Sequence, residues 1–139
     1  RKWLPDAYGV LRFGEEWHPF WLELDGTQTA RSRIDPQVWQ RKLDNLCAFV
    51  ATGKWRLRHA TQPKFLIVTQ DLRNRPLICD ALGVAARGCD IAPPATYVAS
   101  LSELVQRGPL ASIWLTAHAP IEAGFGHAFP ALLQRCERC

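Results

Sequence analysis

In an extended chain, residues 20–25 place the apolar Phe20, Leu22 and Leu24 on one face and Trp21 with two acids on the other, because strand side chains alternate. Residues 4–13 predict one strand, entered through the step Pro5-Asp6, and residues 17–25 predict a second. The short, Gly14-containing link between them is typical of a hairpin turn. We therefore predict an antiparallel hairpin at the start of the chain.

Two acidic residues fall on one face of the second predicted strand, close to its end. Because side chains alternate along a strand, Glu23 and Asp25 share that face. Trp17 and Trp21 lie on the same face, and we expect both to pack beneath a helix. Folding back at the turn brings Asp6 roughly opposite position 23 or 24. The acids can hold a cation, or they can lie on a solvated face that ends in an Asx-type turn.

A helix is predicted from Asp35 to about Thr52. Asp35-Pro36 supplies a capping side chain followed by proline in the first turn, and Gly53 supplies a stop. Lys42 lies inside the apolar arc of this helix. Its ammonium can point at the acids, or its stem can cover neighbouring side chains while the ammonium reaches water. At about 100° per residue, the arc consists of Val38, Trp39, Leu43, Leu46, Cys47, Phe49 and Val50.

Predicted strands and helices alternate in the rest of the chain. The continuous apolar run at residues 65–69 is typical of a strand that is covered on both faces. This alternation favours an α/β fold with a mixed β-sheet, in which the N-terminal antiparallel hairpin is followed by parallel strands, with helices on the flanks. We expect a single domain over residues 1–139. The further predicted elements are strands at 96–99 and 112–116 and helices at about 74–87, at 101–106 behind the capping-box pattern Ser100-x-x-Glu103, and at 130–135.

Composition narrows the class of protein. Hydrophobic and charged fractions of 47% and 22% are those of an ordinary globular chain, which argues against disorder. The net charge of +4 tilts weakly toward polyanionic partners. No apolar run approaches the roughly 18 residues of a membrane span, so we expect no membrane partner. The chain begins at Arg1 and contains no Met, which predicts a piece of a longer polypeptide with an upstream domain.

The five cysteines are scattered and odd in number, so they do not fit a secreted disulfide framework and favour a reducing cytoplasm. Cys136-x-x-Cys139, together with His118 or His127, could supply zinc ligands. A single pair without a second pair at ligand spacing is weak evidence for such a site. We therefore assign no role to these two cysteines.

A basic segment with an aromatic residue follows the predicted long helix. The cations of Lys54, Arg56 and Arg58 can contact phosphates while Trp55 stacks on a base. The alternative is a solvated basic loop without a partner. Under the first hypothesis the partner is DNA.

The acids occur in a pattern that resembles a known superfamily. Pro5-Asp6, followed on the next strand by Glu23-Leu24-Asp25, resembles the motif of the PD-(D/E)xK nucleases, whose core is a mixed sheet with flanking helices. More narrowly, roughly residues 4 to 80 are similar to the nuclease-like part of replication-relaxation family proteins. Those proteins occur on plasmids and other mobile elements of bacteria, often with a winged helix ahead of this region. The similarity rests on Pro5-Asp6-Ala7, residues 21–27, Lys42-Leu43, residues 65–69 and Arg73.

The resemblance implies a restriction-endonuclease-like fold and a metal-dependent DNA endonuclease. Asp6 and Glu23 match the superfamily's metal-binding acids. With the Leu24 carbonyl they form an oxygen-rich site that suits Mg²⁺ or Mn²⁺. The superfamily has a lysine where this chain has Asp25, so Lys42 would support the attacking water from the helix. Asp25 would then be a further ligand or would cap the following turn.

Two other hypotheses remain open. The aspartate at position 25 is also compatible with a nuclease fold that has lost catalysis. Such a module would bind DNA or dock onto other replication or transfer proteins. The third hypothesis is an α/β binding domain whose similarity to nucleases is accidental.

Overall fold

A computed structural model describes residues 3–25 and 35–117 together with Ala128. Two short 3-10 helices lie at Lys54–Leu57 and Leu72–Asn74. The main elements, in chain order, are β1 (Ala7–Phe13), β2 (Glu16–Leu24), α1 (Pro36–Ala51), β3 (Lys64–Thr69), α2 (Arg75–Gly88), β4 (Thr96–Ser100), α3 (Leu101–Arg107) and β5 (Leu115–Thr116).

The five strands form one open sheet in the order β1-β2-β3-β4-β5. β1 and β2 pair in antiparallel fashion, β2, β3 and β4 run parallel, and β5 is antiparallel to β4. The predicted α/β fold with a mixed sheet and an N-terminal hairpin is thus confirmed. Ala7 lies opposite Leu22, so Asp6, one residue earlier, is brought toward Glu23 as the hairpin register predicts.

Local signals at the helix ends behave as predicted. Asp35 caps α1 by accepting a hydrogen bond from the Gln37 amide at 2.9 Å, and Gly53 adopts a positive φ of 68° just beyond the helix. A left-handed residue there costs little only because glycine has no Cβ. Ser100 accepts a hydrogen bond from the Glu103 amide at 3.3 Å, so the predicted capping of α3 is confirmed.

β5 is shorter than the predicted strand at 112–116. The Ile113 amide donates to the Ala111 carbonyl at 2.9 Å, within its own segment. The Trp114 indole likewise donates to the Pro109 carbonyl at 2.9 Å. Because the segment before Leu115 bonds locally, only two residues extend the sheet beside β4.

The sheet is covered on both faces. Helices α1 and α2 pack on one face against Trp21, Phe65 and Ile67, and this contact forms the helix-side core. The residues of β3 from Phe65 to Thr69 are all buried, as predicted for a doubly covered strand. The opposite core contains Leu66, Val68, Ala99, Ile113, Trp114 and Ala128.

One expectation about the hairpin is wrong. Trp21 is buried beneath the helices, but Trp17 is 59% exposed. Trp17 pairs with Arg12 near the turn, and the Arg12 guanidinium lies 4.9 Å from the centre of the Trp17 ring. The far end of the hairpin therefore extends beyond the part that the helices bury.

Some predictions fall outside the described residues. They are the turn at residues 26–27 that Asp25 would cap, the last helix at 130–135, and the cysteine pair Cys136 and Cys139 with His118 or His127. Among the helices that the structure does describe, none combines the length and the apolar character that a membrane crossing requires.

Candidate functional site

The candidate site lies where β1 begins and β2 ends. Asp6 immediately precedes β1, and its Oδ2 accepts a hydrogen bond from the Leu24 amide at 2.8 Å. Glu23 extends from β2 toward the helix side and is only 3% exposed. The carboxyl groups of Asp6 and Glu23 are close enough for each to shift the pKa of the other. The hairpin thus brings together two acids that are 17 positions apart in the chain.

Lys42 reaches this pair of acids from α1. Its Nζ donates to Glu23 Oε2 at 3.0 Å, and the same ammonium lies 5.2 Å from the centre of the Trp39 ring. The ammonium therefore points at an acid, as the first interpretation of Lys42 expects, and it also lies beside an aromatic ring. The prediction that Lys42 lies within the inward-facing arc of α1 is confirmed.

The two acids hold their protons differently. Burial raises the pKa of Glu23 to about 7; Lys42 opposes this rise, and the neighbouring Asp6 adds to it. Burial also raises the pKa of Asp6, but the Leu24 amide, Glu23 and Lys42 lower it by more, so the net shift is downward. Between pH 3.8 and about 7, Glu23 therefore holds its proton while Asp6 is ionised.

Asp25 faces the neighbouring strand. Its Oδ2 accepts hydrogen bonds from Thr69 Oγ1 at 2.8 Å and from Asn74 Nδ2 at 3.4 Å. Its amide donates to the Val68 carbonyl at 2.8 Å, and the residue is 8% exposed. These contacts join the end of β2 to the end of β3 and so help to position Glu23, two residues earlier.

Thr69 and Asn74 belong to the site's surroundings, and sequence reasoning missed them. Each hydrogen-bonds to an acid more than 40 positions away in the chain. A threonine at the end of an apolar strand and an asparagine before a helix are locally ordinary. Only the parallel pairing of β2 with β3 brings Asp25 within reach of them. The role of Asp25 as a further ligand stays a prediction.

The donor atoms at this site fit a hard divalent cation. In an extended strand the amide and carbonyl of one residue point to the same edge. Because the Leu24 amide faces Asp6, the Leu24 carbonyl lies on that edge as well. Two carboxylates and a carbonyl are ligands that Mg²⁺ prefers. Within residues 3–25 and 35–117, no three acidic, histidine or cysteine side chains gather as metal ligands, so a cation here would take its third protein ligand from the backbone.

The predicted nucleic-acid-binding segment forms a 3-10 helix at Lys54–Leu57 and continues to His59. Trp55 packs in part against the helix-side core, and the Arg56 guanidinium lies 4.6 Å from the centre of its ring. Trp55 thus anchors the segment and leaves less of its ring for a base. Lys54, Arg56 and Arg58 are exposed, and their contact with phosphates stays a prediction.

Comparison of the chain with protein-family models, with curated proteins and with solved structures finds no match. The function is therefore inferred from the geometry of Asp6, Glu23 and Lys42 and from the motif in which they occur.

Proposed function

We propose that the site formed by Asp6, Glu23 and Lys42 binds Mg²⁺ or Mn²⁺ and hydrolyses DNA phosphodiesters. The domain would then be a restriction-endonuclease-like nuclease domain of a replication-relaxation-type protein. One observation carries the proposal: the buried Glu23, which the hairpin register places opposite Asp6, has a lysine ammonium 3.0 Å from its carboxyl oxygen. Paired acids with a lysine beside them are the groups that metal-assisted phosphodiester hydrolysis requires.

Charge supports this proposal. With both acids ionised, the side chains of Asp6, Glu23 and Lys42 sum to one negative charge, which favours a divalent cation between the carboxylates. The Leu24 amide holds Asp6 in position, and the ion pair with Lys42 holds Glu23. A bound Mg²⁺ would polarise a phosphoryl oxygen and lower the pKa of a coordinated water. The Lys42 ammonium is placed to stabilise negative charge that develops beside Glu23.

Proton and cation compete for the same oxygens. The proton that Glu23 holds up to a pH of about 7 must leave before both carboxylates can bind a metal. We therefore expect cation affinity, and with it activity, to rise as the pH increases through 7. Lys42 lowers the pKa of Glu23 and so favours the ionised carboxylate that a cation needs, whereas its own positive charge opposes the approach of the cation.

The experiment is nicking of supercoiled plasmid DNA with Mg²⁺ or Mn²⁺, followed by gel electrophoresis. Glu23→Gln keeps the shape of the protonated acid but cannot bind the cation as a carboxylate, so we expect at least about a 100-fold slower reaction. Lys42→Met keeps an unbranched side chain beside Trp39 and removes the charge, with an expected loss of roughly 100-fold. Asp80→Asn, at an exposed position on α2, is the matched control and should retain wild-type activity. Equal nicking by the wild type and Glu23→Gln would refute the proposal.

The inactive module remains the second candidate, because the ion pair between Lys42 and Glu23 neutralises part of the site without any metal. Asp25, which occupies the usual lysine position, is engaged with Thr69. A protein that binds DNA but shows no nicking with either cation, at any pH between about 6 and 9, would favour this candidate.

A further inference from the structure

Two aromatic rings lie beside the candidate site, on the same face of the sheet. Tyr8 and His59 have ring centres 5.6 Å apart, with their planes inclined at 40°. Tyr8 lies directly opposite Trp21, so it faces the helix side, and yet it is 52% exposed. Asp6 precedes Tyr8 by two residues, which separates the two by at most ~7 Å along the chain. An accessible ring thus lies close to the two carboxyl groups.

The His59 ring brings a positively charged segment to this position. Between residues 54 and 59 the chain carries three exposed cations, Lys54, Arg56 and Arg58, and no acid. Trp55, packed against the helix-side core, fixes the segment in place. Burial lowers the pKa of His59, and the adjacent Arg58 lowers it further, so the ring is neutral at pH 7. A neutral aromatic pair is therefore flanked by fixed positive charge.

Exposed aromatic rings next to positive charge can bind the bases and the phosphates of a nucleic acid. A base can stack on a flat ring only when it is unpaired, while its phosphates are attracted to nearby arginines. In a duplex the base faces are already stacked, so an exposed tyrosine adds little to duplex binding. β1 is the edge strand of the described sheet, and Tyr8 on this strand is 52% exposed, so its ring is accessible to a strand from outside.

We propose that single-stranded nucleic acid lies across this face, with an unpaired base stacked on Tyr8 and the adjoining phosphates against Arg58 and Arg56. From the base stacked on Tyr8, the sugar-phosphate backbone of the nucleic acid continues toward Asp6 and Glu23. The inference deepens the proposed function, since it names a single strand as the substrate that approaches the carboxyl groups. The binding that it describes needs no metal, so it can be tested separately from catalysis.

The first measurement is fluorescence anisotropy with a labelled oligothymidylate of about 12 nucleotides, in EDTA. Tyr8→Ala should weaken binding by roughly 5- to 100-fold, the usual effect of losing one stacked base. Tyr8→Phe keeps the ring and should bind like the wild type. Affinity for a duplex of the same length should not change in either variant. Because Tyr8 is largely exposed, both variants should fold, which circular dichroism verifies.

A second measurement tests the contact between Arg58 and the phosphates of the single strand. Arg58→Gln should reduce the slope of log affinity against log salt concentration by about 0.7, the value for one phosphate contact on a single strand. Arg107→Gln changes the net charge equally on α3, whose Leu104 packs against the opposite core, and should leave the slope unchanged. Equal effects of the two arginine variants, or wild-type oligothymidylate binding by Tyr8→Ala, would overturn the inference.

The Glu23→Gln variant distinguishes catalysis from the binding of single-stranded nucleic acid. If this variant loses nicking and keeps its affinity for oligothymidylate, the proposed function and the inference are both supported. If the wild type fails to nick DNA but Tyr8→Ala loses single-strand affinity as expected, the proposed function fails and the inference stands. If the wild type nicks DNA and Tyr8→Ala binds normally, the inference fails alone.

Discussion

Glu23 owes its chemistry to where the hairpin and α1 bury it. An ordinary glutamate is ionised at neutral pH, whereas this one holds a proton until a pH of about 7 because it is taken out of water beside Asp6. Lys42 moderates the effect through its ammonium at 3.0 Å. A carboxyl group poised near neutral pH is typical of sites that exchange protons or bind cations.

The free energy of unfolding should depend on the protonation of Glu23. Between the unfolded value of 4.5 and a pH of about 7, the folded protein keeps a proton on Glu23 that the unfolded chain releases. The free energy of unfolding should therefore fall as the pH rises through this window, by roughly 3 kcal/mol in total. Asp6 acts in another window: its lowered pKa stabilises the fold above 3.8, and that contribution is lost at lower pH.

Urea unfolding of the wild type and Glu23→Gln at about pH 5 and about pH 8 measures this effect. The glutamine variant lacks the titrating group, so it should lose most of the decrease that the wild type shows. His59, with its lowered pKa, contributes equally to both proteins and cancels in the comparison. The same pH dependence in both proteins would contradict a buried, protonated Glu23.

For single residues, the sequence predicts a position in the fold only where that position follows from local periodicity. Lys42 follows from the phase of α1, and the pairing of Asp6 with Glu23 follows from the hairpin register. The contacts of Thr69 with Asp25 and of Tyr8 with His59 do not follow in this way. They depend on how distant elements pack and on the rotamers that packing selects, and neither leaves a periodic signal.

Among the elements, β2 and β3 depend on a buried polar link at their ends. Thr69 Oγ1 donates to Asp25 at 2.8 Å and accepts from the Asp71 amide at 3.2 Å. One hydroxyl thus joins the end of β2 to the turn after β3. Because Asp25 is buried, the loss of a donor there leaves a carboxylate less well satisfied, and that is more costly than the same loss in water.

Thr69→Val, which keeps the shape of the side chain and removes the hydroxyl, should lower the free energy of unfolding by about 1–3 kcal/mol. Thr61→Val changes the same atoms at an exposed position and should have an effect within about 0.5 kcal/mol. Chemical unfolding of the three proteins gives the values. An equally small change in both variants would show that the link between the strands contributes nothing to stability.

Elements with signals at their ends could be predicted from sequence. The Asp35 cap and Gly53 mark α1, and the order of strands and helices predicts the mixed sheet. β5 could not be delimited, because its apolar residues fit a strand and only local hydrogen bonds keep most of them out of the ladder. The 3-10 helix at Lys54–Leu57 depends on the anchoring of Trp55, which periodicity does not reveal.

In the molecule as a whole, the candidate site lies at the carboxyl-terminal ends of the parallel strands. β2, β3 and β4 end near Asp25, Thr69 and Ser100, three buried polar residues. Open α/β sheets bind ligands beyond this edge, because the strands end there and loops diverge. The start of β1 adds Asp6 to the same edge, since the hairpin is antiparallel. The topology thus brings residues from both ends of the hairpin to one place.

The central claim is that Asp6 and Glu23 together hold a divalent cation. An anomalous difference map from crystals grown with Mn²⁺ above pH 7 tests it most directly. The claim predicts a peak about 2.0–2.4 Å from a carboxylate oxygen of each acid in the wild type, and no peak there in Glu23→Gln. A wild-type map without density between the two carboxylates, at a Mn²⁺ concentration that saturates any activity, would contradict it.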